Sequence, residues 1–194
     1  MQRCILFFLF ALVLGICGQA SGQNPAGMVL YFESGNEVYL LLAEDSKKTR
    51  GWAAFGGGAH DGETTAQTAA RETEEETRGY FDKADLLKKI QHAEPVIDDN
   101  TFALFFAKVD FVPAPVVTKH DPSSEDRSYY ERGPYAWIPF SQIEPYVQAK
   151  VDRSKKHLIA GEYLPNGSVT NWFWPTWLGN VRKAIETDAL PWQN

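Results

Sequence analysis

Residues 56 to 81 read GGGAHDGETTAQTAARETEEETRGYF, and no other stretch of the chain limits its fold as much. Three glycines lead through a polar turn into a segment with helical signals at both ends. Thr64, with Gln67 three places on, is a capping box, so the spacing predicts a helix from about Thr65. Gly79 suits the position just past the helix, where a positive φ costs glycine little. Inside the helix, Glu72, Glu74, Glu75 and Glu76 crowd four carboxylates into five positions. Like charges repel, and acids in a last turn face the negative end of the helix dipole. A fold that keeps them there must solvate them or offset them with a cation.

Turning the helix by about 100° per residue separates these roles. With Glu72 at zero, Glu75 falls at about −60° and Glu76 at about +40°, so these three acids share a side. Glu74 falls near 200°, where Arg78 at i,i+4 is its expected partner. A third stripe holds Ala66, Ala69, Ala70, Thr73 and Thr77, all small enough for close approach to a sheet. The shared acidic side has two readings. It is a solvated surface, the usual meaning of a glutamate run, or a hard-oxygen ligand set for Mg²⁺ or a similar ion.

The wider spacing carries a resemblance. Gly57, five residues, Glu63, seven residues, Arg71-Glu72, two residues, Glu75-Glu76 resembles the Nudix box, the signature of Nudix hydrolases. Every charged position matches, and the preceding GWAAFGG resembles the glycine approach of that family, with Phe55 where proline is common. Thr73 takes the usual aliphatic position, and Arg78 stands where a glycine is expected, with Gly79 one place late. One extra helical residue before the turn is the expectation from that shift. The resemblance is specific over residues 52 to 79 and weaker at TFALFFAKV and AWIPFSQIEPY.

The rest of the chain is consistent with one domain of class α+β. MVLYFES and EVYLLLAED read as strands joined by the hairpin signal Gly35-Asn36. FDKADLLKKIQ reads as a short helix, and TFALFFAKVDF as a buried strand, being nearly continuous in apolar residues. VPAPVVTKHDPSSEDRSYYERGP is expected to be a long polar loop, AWIPF a strand and SQIEPYVQAK a helix. Pro175 suits the first turn of a last helix with Trp177, Leu178, Val181, Ala184 and Ile185 as its apolar stripe. The resemblance implies the corresponding architecture, an αβα sandwich around a mixed β-sheet.

The N-terminus has a separate plan. MQR carries one basic residue, CILFFLFALVLGIC is apolar throughout, and Gly18-Gln19-Ala20 presents small residues for a cut after Ala20. This is the layout of a secretory signal peptide, so residues 1–20 are expected to be a leader and 21–194 the Nudix domain. Export to a periplasm or the exterior follows, with no stable membrane insertion once the leader is gone. A lipoprotein anchor at Cys17 is disfavoured because Ile16 is not small. Cys4 and Cys17 are the two cysteines of the chain, so the mature domain has no disulfide and no cysteine metal site. The formal charge of −6 gives no basic field to attract nucleic acid.

The resemblance also implies a chemistry: hydrolysis of a diphosphate bond in a nucleoside diphosphate derivative, assisted by Mg²⁺ or Mn²⁺. It points to Glu72, Glu75 and Glu76 as catalytic metal ligands, with the Gly56 carbonyl as a further ligand. Glu63 and Arg71 become a structural ion pair that fixes the loop to the helix. Gly57 gives close backbone approach to substrate. Glu131, in the acidic loop with Glu125 and Asp126, is a candidate at the substrate or a solvated loop residue. Trp52 either stacks a base or closes the core. Lys47, Lys48 and Arg50 read as a charged hairpin turn. A non-catalytic secreted binding module on the same scaffold is the alternative, and oligomeric state is not legible.

Overall fold

The chain is seen in a computed structural model that describes residues 24–47, 49–98, 102–122 and 124–193. The expected leader and Lys48 lie outside the described residues. Strands β1 (Ala26–Ser34) and β2 (Glu37–Asp45) form the expected hairpin, with Gly35 at φ 60° in its turn. β3 (Trp52–Ala53) and β4 (Phe55–Gly57) lead into helix α1 (Thr65–Glu76). There follow α2 (Lys83–Ile90), β5 (Val96–Ile97), β6 (Ala103–Lys108), α3 (Ala114–Lys119), β7 (Arg132–Pro139) and α4 (Glu144–Val147). The tail adds β8 (His157–Leu158), β9 (Trp172–Phe173) and α5 (Pro175–Glu186).

The strands form one mixed sheet in the order β5-β6-β1-β2-β3-β9-β8, with β4 also paired to β1 and β7 to β2. β1 and β6 run parallel, whereas β1–β2 and β2–β7 are antiparallel. The central strands read as continuous apolar runs because both faces are covered. Met28 and Leu30 of β1, with Leu41, Ala43 and Phe105, face α1 and α2. Val29 and Tyr31, with Leu40, Leu42 and Leu104, face α5 and α4. The alternation of β1, β2 and β6 thus builds two cores, one on each side of the sheet. This is the αβα sandwich expected from the sequence.

Three details depart from the sequence reading. The long loop after β6 contains α3, started by Pro113 and Pro115, because proline favours a first helical turn. The helix expected over SQIEPYVQAK shrinks to the single turn of α4. Helix α1 is not lengthened at its end either. Arg78 itself takes the left-handed conformation, at φ 60°, with the Arg78 N–H on the Glu75 carbonyl at 3.0 Å. The Gly79 N–H reaches the Glu74 carbonyl at 2.7 Å, completing a Schellman motif with arginine in the glycine's place.

The tail is sewn into the sheet. The Trp52 Nε1–H donates to the Thr170 carbonyl at 2.9 Å, and the Trp174 N–H donates to the Trp52 carbonyl at 2.8 Å. Glu44, 2% exposed, accepts the Val169 N–H at 3.0 Å and also the Thr170 N–H. A buried carboxylate satisfied by backbone donors is a directional tether that an apolar residue could not provide. Among the described residues no helix is long and apolar enough to cross a membrane.

Candidate functional site

Helix α1 lies against β1 and β4 through its small residues. Ala69, Ala70 and Thr73 are fully buried, and the Thr73 Oγ1–H donates to the Ala69 carbonyl at 2.7 Å. The close fit sets the height of the acidic side above the glycine loop. The capping box holds the other end, with Thr64 N–H to Gln67 Oε1 at 2.8 Å.

Arg71 organises the loop and the acids together. Its Nε donates to Glu63 Oε1 at 2.7 Å, and its Nη2 to the Gly58 carbonyl at 2.7 Å. Its Nη1 reaches Glu72 Oε1 at 2.9 Å and Glu75 Oε2 at 3.1 Å. One guanidinium thus ties the loop to the helix and holds two carboxylates side by side. The hydrogen bond from Arg71 is the main reason the Glu63 carboxyl is held down to about 2. Burial pushes the Glu72 carboxyl up to about 7, against the pull of Arg71 and reinforced by Glu76 and Glu75. Burial also raises Glu75.

Gly57 is required for this arrangement. A Cβ there would lie 2.6 Å from Glu72 Cδ and Oε1, so the Glu72 carboxylate occupies the space a side chain would take. Gly56, at φ 152°, packs its Cα where a Cβ would meet Gly27 Cα at 2.7 Å.

Glu76 goes elsewhere. Its Oε2 accepts the Gly56 N–H at 2.8 Å, and its Oε1 accepts from Arg132 Nε at 2.8 Å. Both side chains are buried, at 8% and 3% exposed, and the Tyr135 hydroxyl donates to the Glu76 carbonyl at 2.6 Å. Burial raises the Glu76 carboxyl despite the arginine. The structure therefore brings Glu72 and Glu75 together on Arg71 and holds Glu76 on the glycine loop. Among the described residues no group of three or more acids, histidines or cysteines is arranged to hold a metal. Glu72 and Glu75 do fit a hard dication: they are adjacent oxygen donors that share one arginine nitrogen.

The other candidates separate cleanly. Trp52 is corrected to a core residue: it is 0% exposed and its indole N–H is already bonded, so it offers no face to a base. Glu131 is exposed, at the end of the short helical turn Arg127–Tyr130, and near enough to raise Glu76. Asp126 of the same segment acts on Glu75. Glu74 pairs with Lys83 at 3.7 Å rather than with Arg78. Arg78 instead donates from Nε to the His120 carbonyl at 2.7 Å and lies 4.9 Å over the Tyr130 ring. Sequence reasoning missed Arg132. The one available signal was that a buried glutamate needs a cation, and the sequence does not say which arginine.

A glycine loop, a capped helix with paired acids and a two-sided mixed sheet define a compact α/β scaffold with an anionic site at one helix end. The family model described as NUDIX domain matches residues 23–160, and the chain belongs to the Nudix family. Members of this family are mostly diphosphatases and typically use Mg²⁺. Comparison with curated proteins returned no match.

Proposed function

We propose that the chain is an exported, divalent-metal-dependent hydrolase that cleaves a diphosphate bond in a nucleoside diphosphate derivative by attack of water on phosphorus. The observation that carries this reading is the pair Glu72–Glu75, held on one nitrogen of Arg71 beside Gly57. Their oxygens, with the Gly56 carbonyl, are the donors for Mg²⁺ or Mn²⁺. When bound, that ion neutralises phosphate oxygens and lowers the pKa of water. Glu72, with one oxygen not engaged by Arg71, is placed to take a proton from the attacking water. Arg71 and Glu63 keep the loop against the helix, and Gly57 leaves room for the Glu72 carboxylate beside the loop backbone that approaches the substrate. Glu76 joins the catalytic group by orienting the Gly56 peptide, and Glu131 stands at the rim toward the substrate. Export rests on the leader-like residues 1–20.

The engagement of Glu76 with Arg132 favours a second reading, a binding module without turnover. A panel of nucleoside diphosphate derivatives assayed with Mg²⁺ and with Mn²⁺ decides between them. The hydrolase reading expects metal-stimulated release of a phosphate-containing product, lost by at least about 100-fold in Glu75→Gln, as for a misplaced catalytic geometry. Saturable metal uptake without product from any compound would leave the module. A native mature chain that still begins at Met1 would remove export.

A further inference from the structure

Arg78 stands where the Nudix box has glycine, yet its backbone keeps the left-handed conformation that glycine favours, at φ 60°. A residue with a Cβ adopts that conformation at a cost, because the Cβ crowds the following carbonyl. Gly79, at φ 76°, follows directly, so the chain leaves α1 through two left-handed residues. What the arginine adds in return is its side chain.

That side chain reaches across the end of α1 to the segment between α3 and β7. Its Nε donates to the His120 carbonyl at 2.7 Å, and its guanidinium lies 4.9 Å over the Tyr130 ring. His120 is itself braced, with its ring edge-on to Tyr80 at 5.5 Å. The Tyr129 ring closes over Gly79, where a Cβ would sit 3.4 Å from Tyr129 Cε1, and the Tyr129 hydroxyl reaches Glu74 Oε2 at 3.5 Å. The far end of the segment is fixed separately. Arg132 donates to Glu76 at 2.8 Å, and the Ser46 N–H donates to the Glu131 carbonyl at 3.1 Å. The helical turn Arg127–Tyr130 and the chain before it are thus held at residues 78 and 79.

Asp126 heads that turn and is exposed. Its Oδ1 accepts the Ser128 N–H at 3.0 Å, which orients the carboxylate, and its charge adds to burial in raising the Glu75 carboxyl. With the turn docked, a further negative charge stands beside the Glu72–Glu75 pair. With the turn released, that charge is left to solvent.

We propose that Arg78 is a positioning residue: it clasps the turn 126–130 to the end of α1, so that the Asp126 carboxylate adds to the field that draws a dication to Glu72 and Glu75. The inference rests on the reading of that pair as the metal site. The sign of the effect separates it from plain electrostatics. An arginine near a cation site repels the cation, so deleting it alone should tighten binding. Deleting a clasp should weaken binding, because Asp126 leaves with the turn.

The test is calorimetric titration of the full mature domain with Mn²⁺, where no turnover is needed. Asp126→Asn keeps an oxygen for the Ser128 N–H and loses the charge, and it should weaken Mn²⁺ binding about threefold, the scale of an exposed charge pair. Arg78→Gly should weaken it at least about twofold, the lost repulsion offsetting part of the effect, with Tm within about 4 °C of the parent. The double variant should match Arg78→Gly within about 1.5-fold, because a released turn no longer delivers the charge. Unchanged or tighter Mn²⁺ binding in Arg78→Gly would overturn the clasp and leave the metal site standing. Additive losses in the double variant would do the same, by making the two residues independent. A parent protein that takes up no Mn²⁺ would remove the metal site and the clasp together.

Discussion

Glu76→Gln should destabilise the fold where Glu75→Gln does not, although both acids come from one motif. Glu76 meets Arg132 in a pair whose side chains are 8% and 3% exposed. Breaking a buried pair at one partner costs about 3–5 kcal/mol, mostly because the remaining charge is stranded. Glutamine keeps one oxygen and can still accept from Gly56 N–H or from Arg132, but not from both as the carboxylate does. The lower end, about 3 kcal/mol, is therefore expected. Arg132 would retain only the Ala54 carbonyl at 3.4 Å, with Nη1 unpaired. For a domain of this size each kcal/mol moves Tm by about 2–4 °C, so Tm should fall by about 6–12 °C. In Glu75→Gln, Arg71 keeps Glu63 and Glu72, and the loss should stay near 1 kcal/mol. The assay is thermal and urea unfolding of metal-free protein, with the urea slope checked for constancy. Glu76→Gln combined with Arg132→Met should recover at least half of the loss, since no stranded charge remains. A Glu76→Gln protein within about 2 °C of the parent, or a double variant less stable than the single one, would refute the pair as a buried, mutually dependent unit.

Other consequences are separately measurable. Gly57→Ala should reduce diphosphate hydrolysis by about 100-fold with stability within about 1 kcal/mol, because the new methyl displaces a flexible Glu72 carboxylate rather than backbone. Glu72 has a folded carboxyl at about 7, above its ordinary 4.5, so the folded state holds the proton longer than the unfolded chain. Its contribution therefore favours folding below pH 4.5 and is lost as pH rises through 7. Glu63, lowered to about 2, acts oppositely: its contribution is present above pH 4.5 and lost as pH falls toward 2. Metal-free melting from pH 5 to 7.5 should show a downward trend that Glu72→Gln flattens, and an unchanged trend would contradict the burial argument. Arg78→Gly should relieve about 1 kcal/mol of left-handed strain yet release His120 and Tyr130, leaving global stability within about 1 kcal/mol. Proteolysis between residues 120 and 131 should accelerate in that variant.

The core of the fold was legible because its signals are local. Apolar runs at 28–34, 37–45 and 101–111 gave three central strands, and the Thr64–Gln67 box gave the start of α1. The charged pattern around Arg71 was legible for the same reason, since spacing on one helix and its loop determines who meets whom. What sequence did not give was long-range. Arg132 lies 56 residues from Glu76, and Glu44 lies 126 residues from Thr170. Short strands such as β5, β8 and β9 have too few residues to show a period, and they exist because an edge is available to pair with. Trp52 was ambiguous because a ring that closes a core and a ring that stacks a ligand look alike until neighbours are known.

The stitching of the tail has a consequence for where this molecule can be divided. The recognisable signature stops near residue 160, but the bonds from Glu44 and Trp52 reach Val169, Thr170 and Trp174. A fragment trimmed at the signature would strip β3 of its β9 neighbour, leaving a raw sheet margin, an uncovered indole and a glutamate without its backbone donors. The smallest autonomous folding unit is thus longer than its hallmark. Grafting a different C-terminal segment would have to reproduce these anchors before it could pack against the sheet.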